Sequence, residues 1–145
     1  MLYFGPVLGQ NSFAMIVGIG VDIADVARIR QAIERHGERF LKRVFTPVEI
    51  SYCRSHRNSD ERFAARFAAK EAAMKALGTG WQGGIAWRDI EVSNAASGKP
   101  SLNLTGRAQE IFRSLGGKRI LLSVTHTDDY ALAQVVIEGD NSAAG

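Results

Sequence analysis

Asp22 and Glu71 are the two carboxylates whose surroundings invite chemistry. Asp22 closes the run GIGVD, residues 18–22, and the alternate positions before it on the same strand face are Gly18 and Gly20. With no side chain on either neighbour, a ligand or another backbone can approach that carboxylate closely. Glu71 lies in RFAARFAAKEAAMKALGTG, residues 62–80, four residues before Lys75 and flanked on its helical face by Ala64, Ala68 and Ala72. A strand carboxylate and a helix carboxylate with lysines beside them suit a hard cation that bridges phosphate oxygens. Magnesium takes one or two protein carboxylates and fills its octahedron with water and substrate phosphate. Plainer readings exist for each residue. Asp22 can accept backbone N–H groups at a strand end, and Glu71 with Lys75 can be an ordinary i,i+4 pair worth about 0.2–0.5 kcal/mol. Lys70 falls inside the helix's apolar stripe, where its stem can pack while the ammonium snorkels outward, and no role beyond a phosphate contact suggests itself.

Competing chemistries find little support. One cysteine and three histidines form no zinc cluster, and no Ser-His-Asp spacing is present. GIGVDI offers G-x-G but lacks the third glycine of a dinucleotide fingerprint.

The elements that must position these residues follow from periodicity. IVGIGVDI, residues 16–23, alternates Val17, Ile19, Val21 and Ile23 against Gly18, Gly20 and Asp22, a strand with one apolar and one stripped face. Asp25 caps a helix with the stripe Val26, Ile29 and Ile33, ended by Gly37, with Arg28 and Arg35 on the opposite side and Arg39 joining them if the helix continues. Thr46-Pro47-Val48-Glu49 combines an N-cap, a first-turn proline and a capping-box glutamate, and RSHRNS after it reads as a polar loop. In the next helix Asp60 and Glu61 suit the first turn, Phe63, Phe67, Met74 and Leu77 form the core stripe, and Gly78 ends it, with Gly80 beyond Thr79 leaving room for a ligand. WRDIEVS and KPSLNLT then read as strands around a Ser97-Gly98 turn, and RAQEIFRSLG as an amphipathic helix. RILLSVTH and YALAQVVIE form a hairpin about Thr127-Asp128-Asp129. The expectation is one α+β domain, a mainly antiparallel sheet packed against a long central helix, over residues 15–139. Met15 is expected to be the working start, residues 1–14 a disordered extension and residues 140–145 a frayed tail.

The 145 residues are 46% hydrophobic, enough for a single core, and lack an apolar run long enough to span a membrane. A lone cysteine, Cys53, fits a reducing compartment, so the cytoplasm is expected. A net charge of +3 points to an anionic partner without choosing one. A non-catalytic basic module for an acidic protein or nucleic acid is the alternative to an enzyme, although aromatic residues are not interleaved with the basic ones as base stacking would require.

GIGVDIADVARI, RFAARFAAKEAAMKALGTG, SGKP and SVTHTDDYALAQVV, in this order and spacing, resemble the bacterial holo-[acyl-carrier-protein] synthases, the short type of 4′-phosphopantetheinyl transferase. The resemblance runs from Met15 to Glu138. It implies transfer of the 4′-phosphopantetheine arm of coenzyme A to a serine of apo acyl carrier protein for fatty acid biosynthesis, releasing adenosine 3′,5′-bisphosphate. By position it implies that Asp22 and Glu71 hold Mg²⁺ against the pyrophosphate and that Lys75 contacts phosphate oxygens, these three forming the catalytic set. Arg66, Lys99, Thr125 and His126 fall among its coenzyme A contacts, and Arg28 and Arg35 among its contacts to the acidic carrier. It further implies a homotrimer with sites at subunit boundaries and no nucleic-acid or membrane partner. It leaves the general base unassigned.

Overall fold

The computed structural model describes residues 14–78 and 83–140. Thr79 and Gly80, and the extension and tail apart from Ala14 and Asp140, lie outside the described residues. The elements run β1 (Met15–Asp25), α1 (Val26–His36), α2 (Glu38–Val44), α3 (Pro47–Arg54), α4 (Ser59–Leu77), β2 (Ile90–Asn94), β3 (Pro100–Leu104), α5 (Gly106–Ser114), β4 (Gly117–His126) and β5 (Tyr130–Gly139). A 3₁₀ turn, Trp87–Asp89, precedes β2, so the first residues of WRDIEVS are a turn and not a strand. Asp89 explains this, because its carboxylate accepts the Ala86 N–H at 3.0 Å and closes the turn.

All pairing is antiparallel: one sheet has the order β1-β5-β4, and the β2-β3 hairpin forms a second. Helix α4 lies across the three-stranded sheet and is buried on nearly every side. Its alanines decide how closely it sits. A methyl group on Gly18 or Gly20 would run into the carbonyls of Ala76 and Ala72, so the bare stripe of β1 and the alanine stripe of α4 meet backbone to backbone. Ala64, Ala68 and Ala72, which flank Glu71, are all buried and so clear no face for a ligand. The close approach to β1 beside Asp22 is made by another backbone.

The apolar stripe of β1 faces the other way. Ile19, Val21 and Ile23 are each more than half exposed, and Tyr130 and Leu132 of β5 continue the patch. The outer face of the sheet is therefore apolar and open in the single chain.

The helix ends follow local chemistry. Asp25 Oδ1 accepts the Ala27 N–H at 2.9 Å to start α1. Gly37, at φ +55°, ends it in a conformation that side chains disfavour, so Arg39 belongs to α2 and leaves the Arg28/Arg35 ridge. Thr46 and Glu49 form the reciprocal capping box that opens α3. Gly78 closes α4, its N–H donating to the Met74 and Lys75 carbonyls.

Candidate functional site

Asp22 projects from the α4-facing side of β1, and Glu71 and Lys75 stand on the turns of α4 that cross that strand. Lys75 Nζ donates to the Val21 carbonyl at 3.0 Å and to Asp22 Oδ1 at 3.2 Å. Burial holds the Glu71 carboxyl above its ordinary range, the Asp22 charge pushes it further up, and Lys75 opposes both. Two carboxylates that repel one another at the rim of the α4–β1 contact form a hard-oxygen pair that a divalent cation would relieve. Among the described residues no group of three or more His, Cys, Asp or Glu could hold a metal. The pair thus fits an ion that takes most of its ligands from water and substrate, as Mg²⁺ does, and does not fit a cage made wholly of protein.

Lys70 goes elsewhere. Its side chain is fully buried, with Nζ 2.7 Å from Glu49 Oε1 and donating to the carbonyls of Trp87 at 3.1 Å and Ile90 at 2.5 Å. Glu49 also accepts the N–H groups of Thr46 and Val92, each at 2.8 Å. Burial pushes the Lys70 ammonium down from its ordinary value, and Glu49 acts in the opposite sense. Every ammonium proton has an internal acceptor, so Lys70 neither snorkels nor reaches a phosphate. This corrects the role left open for it above.

A second feature lies between α3, α4, the β2-β3 hairpin and β4: a cavity of about 160 Å³ with Arg66 and His126 in its wall. Arg66 is 5% exposed, donates to Asn94 Oδ1 at 2.7 Å and lies 3.9 Å over the Tyr52 ring. Asn94 in turn donates to the Gly98 carbonyl at 3.0 Å, which ties the turn carrying Lys99 to the same wall. His126 Nδ1 stands 3.2 Å from a Glu61 carboxylate oxygen, without hydrogen-bond alignment. The two buried side-chain polar atoms without hydrogen-bond partners among the described residues, Arg66 Nε and His126 Nδ1, both belong to this cavity. An unpaired guanidinium N–H in a recess walled by Arg62 and Arg66 suits an anionic ligand. Lys99 itself is exposed on the turn. Thr125 is exposed, neighbours His126 on β4 and pairs with outward-facing Leu132, so it points to the open face of the sheet and is not gathered with His126.

Tyr52, Arg62 and Asn94 are polar cavity residues that sequence reasoning missed. Asn94 had a usable signal, a side chain able to close its own turn four residues before Gly98. Tyr52 had none, because only tertiary packing lays Arg66 upon it.

Arg28 and Arg35 are exposed on one side of α1. Arg28 also edges an apolar pocket of about 480 Å³ with Ile29, Phe40, Phe67 and Tyr130 in its wall. Phe67, placed in the core stripe from periodicity, is only partly buried because it stacks on Trp87 and lines this pocket.

This antiparallel α+β architecture, with a carboxylate pair at one edge of the sheet and a basic cavity at the other, carries comparison with known proteins. The family model of the 4′-phosphopantetheinyl transferase superfamily matches residues 18–135, and the chain belongs to that superfamily. Within it, the holo-[acyl-carrier-protein] synthase of Koribacter versatilis (strain Ellin345) is 55% identical over 124 residues, covering 86% of this chain and 99% of the relative. The crystal structure of the enzyme of that name from Neisseria meningitidis has a TM-score of 0.78 at 36% identity, covering 85% of this chain and 98% of its own. The Helicobacter pylori one, a complex with coenzyme A, has a TM-score of 0.73 at 31% identity, covering 82% and 98%. These relatives give no support to the alternative of a non-catalytic basic module.

Proposed function

We infer that the chain is a holo-[acyl-carrier-protein] synthase. It transfers 4′-phosphopantetheine from coenzyme A to a serine of apo acyl carrier protein and releases adenosine 3′,5′-bisphosphate. In that reaction the serine oxygen forms a bond to the β-phosphorus of coenzyme A, and the bond from that phosphorus to the bridging oxygen breaks. The observation that supports the site most directly is the convergence of Asp22 and Glu71, with Lys75, where β1 meets α4.

Asp22 and Glu71 are the residues that would hold Mg²⁺, and the ion supplies positive charge against the pyrophosphate. Lys75 is a phosphate contact on the same rim. Arg66 and His126 bind phosphate or nucleotide parts of coenzyme A through the cavity they share, and Lys99 adds charge from the adjoining turn. Asp22 starts from β1 and His126 from β4, the two outer strands of the sheet, with β5 between them. A homotrimer that sets the cavity of one chain against the carboxylates of the next would unite them. The open apolar face of Ile19, Val21, Ile23 and Leu132 is the surface such an assembly would cover, and it would bring Thr125 to the boundary. Arg28 and Arg35 steer the acidic carrier, and the apolar pocket beside Arg28 gives it a place to seat a side chain. Residues 15–139 form the catalytic domain, working in a reducing cytoplasm where Cys53 stays a buried thiol.

The test is intact mass. Incubated with coenzyme A, Mg²⁺ and a panel of apo carriers, the protein should add roughly 340 Da, the mass of the transferred group, to at least one carrier. No shift at any carrier concentration removes the function. Asp22→Ala and Glu71→Ala should each abolish the shift while circular dichroism remains native, and full activity in both removes the metal assignment.

A further inference from the structure

Lys75 already has partners of its own within the chain. Two of its three ammonium protons are engaged, one by the Val21 carbonyl at 3.0 Å and one by Asp22 Oδ1 at 3.2 Å. The Asp22 side chain is only 17% exposed, whereas that of Lys75 is 56% exposed. The carboxylate is therefore largely fixed and the ammonium reaches it from solvent on a long flexible stem. Of the two partners, the lysine is the one that can leave at low cost.

We propose that Lys75 is the built-in counter-ion of the cation site. While no divalent ion is bound, its ammonium occupies Asp22, and it must swing off that carboxylate for the ion to bind there. This rests on Asp22 and Glu71 being the cation ligands. A divalent ion with two carboxylates is neutral, and an ammonium kept against the same oxygen would leave excess positive charge within a few ångströms of the ion. A pyrophosphate arriving beside the site offers the lysine a new anionic partner on the same rim. Lysine release thereby couples the two ligands: the pyrophosphate raises affinity for the cation, and the cation raises affinity for the pyrophosphate by the same factor. Lys75 thus acts in two places, first as a lock on the empty site and then as a phosphate contact.

The experiment is a titration of the full-length protein with Mn²⁺ alone, reading free aqueous Mn²⁺ by electron paramagnetic resonance at about 0.15 M salt, where exposed charges more than roughly 8 Å apart are largely screened. Lys75→Met should bind Mn²⁺ about tenfold more tightly than the wild type, the scale expected for removing one charge from the ion's immediate surroundings. Lys42→Met, which removes an exposed cation on α2, should change affinity less than twofold. With coenzyme A present the advantage of Lys75→Met should shrink, because the lysine of the wild type then has its phosphate partner. Mn²⁺ affinity of Lys75→Met equal to or weaker than wild type, or equal tightening in Lys42→Met, overturns the lock and leaves the metal assignment standing. Absence of Mn²⁺ binding in both wild type and Lys75→Met, or wild-type binding in Asp22→Asn, overturns the metal assignment and the lock with it. A thermal melt of Lys75→Met that matches the wild type confirms that the titrations compare folded proteins.

Discussion

Lys70 and Lys75 sit on the same helix, each paired with a carboxylate, yet they live in opposite regimes. Lys70 is sealed between α3, α4, the 3₁₀ turn and β2, with Glu49 and two carbonyls as permanent partners. Lys75 lies on the open rim, with one carboxylate and one carbonyl and solvent around the rest of the side chain. A charge pair with every hydrogen bond satisfied internally has no cheap alternative state and can only hold elements together. A pair at the surface gives little stability, so its members can exchange partners at low cost. The motif K-E-A-A-M-K therefore carries one sealed lysine and one exposed lysine, five residues apart and separated by burial alone.

The largest test of that contrast is equilibrium unfolding in urea. Lys70→Met strands the Glu49 charge in the core and should cost about 3–5 kcal/mol, whereas Lys75→Met should stay within about 1 kcal/mol of the wild type. Replacing both Glu49 and Lys70 by apolar residues of similar volume should recover much of the loss. Comparable stability for the two single variants would erase the distinction.

A smaller effect is expected where the two regimes are joined. Gly20→Ala puts a methyl group against the Ala72 carbonyl and pushes β1 off α4, while Glu49 and Lys70 are untouched. The expected cost is about 1–3 kcal/mol, the range for overpacking a close contact. Because the shift separates Asp22 from Glu71, affinity for Mn²⁺ should fall even at temperatures where the variant remains fully folded. Unchanged affinity would mean that the α4–β1 spacing does not set the carboxylate pair.

Much of this was legible from residue types alone, and the failures have a common cause. The element order apart from α2, the caps at Asp25 and Thr46 and the end at Gly78 follow from local chemistry, which a sequence displays directly. Asp22 and Glu71 were legible as a pair because each stands in a stretch stripped of large side chains. The reason for that stripping was not legible. Glycines on a strand and alanines on a helix signal close approach, but nothing local says that they approach one another, and it is this mutual packing that turns the apolar face of β1 outward. Lys70 was misjudged for a related reason. A helical wheel placed it correctly in the core stripe, but its acceptors come from Glu49, Trp87 and Ile90, all remote in sequence. The cavity around Arg66 was half legible, since Arg66, His126 and Lys99 stand out as basic residues, while Tyr52 and Asn94 enter it only through tertiary contact.

The smallest expected effect bears on the open site itself. Burial, and after it the charge of Asp22, raises the Glu71 pKa above its ordinary value, so the ionised form is disfavoured in the folded chain. A group whose pKa is raised on folding contributes its full stability below the ordinary carboxylate value and loses that contribution as pH rises through the raised one. At neutral pH the metal-free wild type has therefore lost it, and Glu71→Gln, which carries no charge, should melt slightly higher. Below the ordinary carboxylate range, at about pH 3, Glu71 is protonated in the folded and the unfolded chain alike and the two proteins should melt together, apart from any general acid destabilisation they share. Saturating Mn²⁺ should reverse the order at neutral pH by raising the wild-type melting temperature and leaving that of Glu71→Gln nearly unchanged. The same exchange made at Glu49 should behave differently: Glu49→Gln leaves the Lys70 ammonium without its buried counter-charge and should melt lower at neutral pH, with or without Mn²⁺. A carboxylate whose removal stabilises the empty protein, beside one whose removal destabilises it under both conditions, is the thermodynamic form of the difference between a site kept open for a ligand and a pair that holds the fold.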